Sequence, residues 1–223
     1  KMKVGDDVPI LGVAISPFSF PVMQMGFDKY IELMYENPDL FGQLMTLNET
    51  FCVEWANAQL EAGATAIAYF DPVSSPTIVP REFYLKTGFK VAQRTLAQIK
   101  GPTATHLASG LCLPIIDDIA KTNTQVLGVS AIEDLATIKH TCKGKLTVMG
   151  NLNGIEMRRW TEKQTVSIIK DCISQAGPGG GFILADNHGE IPWQVPDEVL
   201  SNISKAVQEW GNYPLDWINE SEK

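Results

Sequence analysis

The sequence predicts an α/β fold on a parallel sheet, and three features point to it. Six short apolar runs, residues 8–15, 65–71, 103–109, 125–130, 145–152 and 181–188, alternate with helical patterns without a break. Most of these runs are continuous in their apolar character, as expected of strands covered on both faces. The length of 223 residues, with 44% hydrophobic and 20% charged side chains, suits one large domain better than two small ones. Unbroken strand–helix alternation implies right-handed βαβ units, which build either an open doubly wound sheet or a closed barrel. Both nucleotide-binding fingerprints are absent, since no GxGxxG follows the first run and no GxxxxGKS/T occurs anywhere.

In chain order, the first run, 8–15, ends at Ser16. A long helix follows, with Leu44, Leu47, Phe51, Trp55, Ala58 and Ala62 at helical spacing along one expected buried face, ending near Gly63. The second run stops at Asp71-Pro72, and the third carries His106 and Ser109 at its end. Residues 161–175 read as a helix opened by a capping box of Thr161 and Gln164. That helix stops at Gly177-Pro178-Gly179-Gly180-Gly181, which reads as a linker because it precedes a strand and not a helix N-terminus. Val199, Ile203, Val207 and Trp210 give the last major helix its stripe, and the tail beyond Trp210 reads as a short docking or frayed segment. Polar residues gather after the strands: Ser16, Asp71, His106, Ser109, Asn151, Asp186, Asn187 and His188. In a parallel barrel those loops build the active site. His140, on a helix among polar neighbours, reads as a solvated surface residue.

A formal charge of -8 and a pI near 4.9 argue against nucleic acid or an anionic membrane surface as a partner. Cys52, Cys112, Cys142 and Cys172 lie far apart with no CxxC pair, the pattern of reduced structural thiols in a cytoplasmic protein. No signal peptide and no apolar stretch of about 18 residues is present, so no membrane span is expected. The chain opens on Lys1 and reaches a strand almost at once, which reads as the interior of a longer protein.

Several segments, in order, carry a family resemblance. Val8-Pro-Ile-Leu-Gly with Ser16-Pro-Phe-Ser resembles the VPxIGFxGGPFT segment of uroporphyrinogen decarboxylases and related methyltransferases. Phe70-Asp-Pro-Val-Ser-Ser-Pro76 with Ile78-Val-Pro-Arg-Glu-Phe83 is similar to their DPxASxxLISPxxF segment. Met149-Gly-Asn-Leu152 resembles the xGNLD strand end, and Gly180-Gly-Phe-Ile-Leu184 with His188-Gly189 resembles GGFILxxGHG. The resemblance implies a TIM-type (β/α) barrel of which about six of eight strands are present, this chain supplying the third strand onward as a single domain over 1–223. Six strands of eight leave two open edges.

The resemblance implies one of two chemistries. The decarboxylase branch removes carboxyls from a porphyrinogen in porphyrin biosynthesis, without metal or cofactor. Its tyrosine after the Gly-Pro-Phe-Thr segment falls at Met23, and only the histidine of its Gly-His-Gly turn is kept, as His188. The methyltransferase branch moves a methyl group between a corrinoid and a thiol such as coenzyme M, with zinc held by His-x-Cys and a distant Cys. Here His106 matches that motif's histidine, Ala108 stands at the cysteine, and His188 at the distant cysteine. Zinc in a catalytic site takes about three protein ligands, so His106 and His188 need a carboxylate, with Asp186 the leading candidate and Asp71 or Glu190 behind it. His188, Asp71 and Asn151 are the catalytic candidates, although Asp71 also reads as a loop brace and Asn151 as a backbone partner. The leading expectation is a cobamide-dependent methyltransferase with zinc and a corrinoid protein as partner. The alternatives are a decarboxylase with His188 as proton donor, and a non-catalytic barrel that binds a tetrapyrrole or corrinoid protein. A homodimer covering the open barrel edge is a further expectation.

Overall fold

The structure, a computed structural model, describes residues 1–5, 7–187 and 191–220. Each of the six apolar runs contains one strand: β1 Leu11–Ile15, β2 Ala66–Phe70, β3 Thr103–His106, β4 Val126–Gly128, β5 Thr147–Leu152 and β6 Phe182–Asp186. They form one sheet in sequence order, every pair parallel, so this is a TIM-type barrel sheet that β1 and β6 leave unclosed among the described residues. The α-helices are α1 Pro21–Met25, α2 Phe27–Glu36, α3 Pro38–Glu61, α4 Arg81–Lys86, α5 Gly88–Leu96, α6 Ile116–Ile119, α7 Leu135–Cys142, α8 Glu162–Ala176, α9 Asp197–Trp210 and α10 Trp217–Glu220. Among the described residues, no helix is long and apolar enough to cross a membrane.

The pairing register sorts the strand residues onto two faces, because alternate residues share a face. Ala14, Ile67 and Tyr69 pack with Cys52 and Ala56 of α3 and with Ala92 and Leu96 of α5. Farther along the sheet, Leu127, Val148 and Leu152 pack with Ile138 of α7 and with Ile169 and Ile173 of α8. These residues define the helix-covered face. The opposite, inner face carries Val13, Ala68, Ala104 and Val126 in one layer, and Ile15, Phe70, His106, Gly128 and Met149 in the next. Leu11 and Val13 are each 55% exposed and Ile183 is 46% exposed, because no described strand closes the barrel over them.

Local signals placed several elements correctly. Thr161 caps α8 with the expected reciprocal box, its Oγ1 accepting from Gln164 N–H at 3.3 Å while its own N–H donates to Gln164 Oε1 at 2.9 Å. The tail docks: Trp217 Nε1–H donates to the Trp210 carbonyl at 3.0 Å, and the two rings meet edge-on.

The face of α3 differs from expectation. Phe41, Met45, Asn48, Cys52 and Ala56 are the buried row. Leu47, Phe51 and Trp55, expected inside, are 66%, 52% and 50% exposed. The two rows lie about 100° apart on the helix and both have apolar spacing, so the choice falls to whichever row the sheet covers. The outward row borders the open edge of β1. There Gln59 Oε1 accepts from Val13 N–H at 3.0 Å, while Gln59 Nε2 and Trp55 Nε1 donate to the Val13 carbonyl at 3.0 and 3.2 Å. One glutamine side chain thus stands in for a neighbouring strand and blunts the edge.

Candidate functional site at the strand C-termini

Because all six strands are parallel, Asp71, His106, Asn151 and Asp186 come to the same end of the sheet. His188 and Glu190 lie outside the described residues. The four described candidates divide between the two faces. His106 pairs with Gly128 and Asn151 with Ala185, which puts both on the inner face. Asp186 pairs with Leu152 and shares the helix-covered face, where it borders a cavity with Leu200, Ile203 and Val207 of α9.

Asp71 is 2% exposed and follows β2 at Pro72, which starts a short 3-10 turn. Its Oδ1 accepts from Ser16 Oγ at 2.5 Å and Ser19 Oγ at 2.7 Å, and its Oδ2 accepts from Ser74 Oγ at 2.5 Å. Burial pushes this carboxyl up, and the three hydroxyl bonds pull it partly back. Ser19 Oγ also accepts from Val73 N–H at 3.1 Å. The cluster ties the loop after β1 to the loop after β2.

His106 ends β3 at 6% exposure. Its ring stacks on Phe70, with centroids 5.7 Å apart and planes at 20°. It leans over Gly128 so closely that a Cβ there would fall 2.2 Å from Cδ2. Nδ1 accepts the Ala108 N–H at 3.2 Å, and Ala108 turns the chain with a left-handed φ of 53°.

Asn151 holds the loop after β4. Its Nδ2 donates to the Ser130 carbonyl at 3.0 Å and the Glu133 carbonyl at 3.2 Å. Both amide hydrogens are therefore committed, and Oδ1 is the atom that can face a ligand. Glu133 in turn accepts from Leu113 N–H at 2.8 Å, from Cys112 N–H at 2.9 Å and from Cys112 Sγ at 3.1 Å. Burial first, then Glu133, pushes the Cys112 thiol well up. The Oδ1 of Asn187, a residue just 2% exposed, has no hydrogen-bond partner among the described residues.

An apolar cavity of about 260 Å³ opens beside these groups, lined by Ile15, Met23, Phe27, Phe70, Val73 and Ile78 among others, with Ser19 at its polar end. The larger cavity of about 630 Å³ lies at the other end of the strands, against Lys139, His140, Lys143 and Lys145. His140 is exposed there. Sequence reading singled out His106 and Asn151 but passed over Phe70, Ser19, Ser74 and Glu133. Phe70 and Ser74 lay within the DPxASxx-like segment, so a signal for them existed; Glu133 lay in a loop without one.

Zinc chemistry requires a ligand set. Among the described residues, no group of three or more His, Cys, Asp or Glu side chains could hold a metal ion. Asp186 sits on the face opposite His106, and the Cys112 thiol is held by Glu133. The described residues do not fit zinc, and no step below runs through a metal.

Comparison with known proteins places this geometry. The sequence model of the family described as uroporphyrinogen decarboxylase (URO-D) matches residues 1–210. A methylcobamide:CoM methyltransferase from Methanosarcina barkeri is 28% identical over 68% of this chain and 44% of its own length. A uroporphyrinogen decarboxylase from Magnetococcus marinus is 24% identical over 95% of this chain and 62% of its own. A solved methyltransferase from Methanosarcina mazei superposes with a TM-score of 0.81 at 26% identity, over 95% of this chain and 61% of that one. A vitamin-B12-independent methionine synthase homologue from Listeria monocytogenes, at 15% identity and a TM-score of 0.59, shares the fold alone. The chain therefore spans from under half to about three fifths of the length of these curated relatives.

Proposed function

We infer a function from one premise: this chain belongs to the uroporphyrinogen decarboxylase (URO-D) family. Within that family, we propose that it serves methyl transfer between a corrinoid-bound methyl donor and a small thiol, in a cytoplasmic setting. The observation that carries this reading is the apolar cavity at the strand ends. It is about 260 Å³, and among the described residues no Lys, Arg or His lines it. A methyl group and a short thiol need a small dry site. A porphyrinogen, large and polyanionic, needs cations to replace the water around its carboxylates.

In this reading each residue has a limited task. Ile15, Phe70, Met23 and Phe27 exclude water from the transferring methyl group. His106 and Asn151 present polar atoms from the inner face, and Asp71 holds the two loops that shape the cavity. His188, in Asn187-His188-Gly189 where the family shows Gly-His-Gly, is the further catalytic candidate. The thiolate sulfur attacks the methyl carbon, and the bond to the leaving group breaks with its electron pair staying on that group. A corrinoid protein is the partner expected to present the donor at the open mouth, and a second copy of the chain is the occupant expected at the β1 edge.

The test pairs two assays on the same preparation. Methylcobalamin with coenzyme M should lose its methyl–cobalt absorbance and yield the methylated thiol by mass spectrometry. Uroporphyrinogen should yield no product above a heat-killed control. Coproporphyrinogen formation without methyl transfer would replace this reading with the decarboxylase one.

A further inference from the structure

We propose that the cavity at the N-terminal end of the strands binds the phosphoryl group of a small anion. Its volume is about 630 Å³, room for a phosphate ester as well as for a free oxyanion. Lys139 and His140 from the last turn of α7 line it, with Lys143 and Lys145 from the turn into β5 and the glycine loop between α8 and β6. Among the described residues no Asp or Glu lines it, although the chain has 26 Asp and Glu against 18 Lys and Arg. A cleft of one sign on a chain of the other focuses the field, and so gathers anions that the rest of the surface repels.

The cations differ in how far they are compensated. Lys145 Nζ pairs at 2.6 Å with Oδ1 of Asp117, which does not line the cavity. Lys139 Nζ donates to the carbonyls of Gly180 and Gly181, the second at 2.9 Å; these are neutral acceptors and cancel no charge. An ammonium has three hydrogens, so one is left for a ligand. Burial lowers the pKa of Lys139, the cost of drawing an ammonium out of water without a counter-ion. Lys143 and His140 are exposed, and among the described residues neither is in an ion pair.

Helix α7 by itself explains part of this set, since cations in a last turn offset the partial negative charge of the helix end. It does not explain Lys143 and Lys145, which lie beyond the helix, or Lys139 reaching across to the loop before β6. In that loop Gly179, Gly180 and Gly181 have left-handed φ of 81°, 71° and 66°, and carry no side chain to fill the cavity wall. Lysines meet a phosphoryl group as point charges, and its several oxygens can accept from more than one of them at once. The ligand bridges α7, the start of β5 and the loop before β6. These lie at the opposite end of the strands from His106 and Asn151, so the proposal is independent of the methyl-transfer reading.

The experiment is isothermal titration calorimetry with inorganic pyrophosphate and with ribose 5-phosphate, in metal-free buffer at an ionic strength fixed by sodium chloride. Binding of both supports the site and marks a phosphate ester as its ligand; binding of pyrophosphate alone supports it with a free oxyanion. Lys143→Glu, at an exposed position, should weaken pyrophosphate binding by about tenfold or more. Lys86→Glu, the same charge change at an exposed position of α4, should leave it unchanged. Amide ¹H–¹⁵N signals of Gly179, Gly180 and Gly181 should move during the same titration. No heat from either probe, an equal loss of affinity in Lys143→Glu and Lys86→Glu, or glycine signals that stay still would overturn the proposal.

Discussion

The Asp71 carboxylate shows at the residue scale what a buried charge costs. Burial raises its pKa from the ordinary 3.8, and the serine hydroxyls offset part of that rise. The folded chain therefore holds this proton to a higher pH than the unfolded chain. From about 3.8 up to the raised value the native state binds more protons, so stability falls as pH rises through that window and stays lowered above it. Asp71→Asn removes this dependence. Its stability minus that of wild type should increase with pH across the window in denaturant titrations, and a difference flat in pH would refute the assignment. The thiols give a second prediction. Burial pushes Cys52 up to about 12 and Cys142 and Cys172 each up to about 11, so thiolate is scarce at pH 8. Ellman's reagent should label none of the four cysteines promptly in the native protein and all of them in guanidinium; prompt native labelling would show the packing to be wrong.

Elements add constraints that single residues do not. Gly128 is required because His106 on the neighbouring strand occupies the volume a Cβ would need. Gly128→Ala should destabilise the fold by about 1–3 kcal/mol, measured from the shift in the chemical denaturation midpoint, and an unchanged midpoint would mean that the ring is elsewhere. The capping box of α8 is local, so Thr161→Ala should cost about 0.5–2 kcal/mol on the same measurement, independent of anything at the strand ends. These two elements were unequally legible. The Thr161–Gln164 box could be read from spacing four residues long. The row that α3 buries could not, because its two apolar rows compete and the sheet chose the one with Asn48 in it. The buried row accepts that polar residue because its amide is paired inside the fold. Asn48 Nδ2 donates to Gln24 Oε1 at 3.0 Å, and Gln24 Nε2 donates back to Asn48 Oδ1 at 3.2 Å.

At the scale of the whole molecule, the sheet is open along β1 and β6 among the described residues, and Leu11, Val13, Leu47, Phe51 and Trp55 leave an apolar border at the β1 edge. Gln59 satisfies the Val13 backbone but hides no apolar area. Such a border favours association. Sedimentation at micromolar concentration should therefore show self-association that Leu47→Lys weakens, while a monomer at every concentration would argue that the edge is adequately protected. This border belongs to β1 and α3, whereas His106 and Asn151 lie on β3 and β5, so Leu47→Lys should leave thiol binding unchanged.

The sequence by itself determined the class of fold, the six strands, the capping box of α8 and the end of the sheet where polar residues gather. These follow from local chemistry: apolar runs of strand length, cap residues at fixed offsets and a parallel order that sends every strand end the same way. Tertiary structure alone decided which of those polar residues share a face. His106 and Asn151 point inward, Asp186 lies among the helices, and Asp71 is consumed by three serines that lie up to 55 residues away in the chain. A one-residue step along a strand reverses the face, and spacing across separate strands carries no register. The contact that orients His106 was equally out of reach, since it depends on a backbone N–H turned toward Nδ1 by the left-handed φ at Ala108.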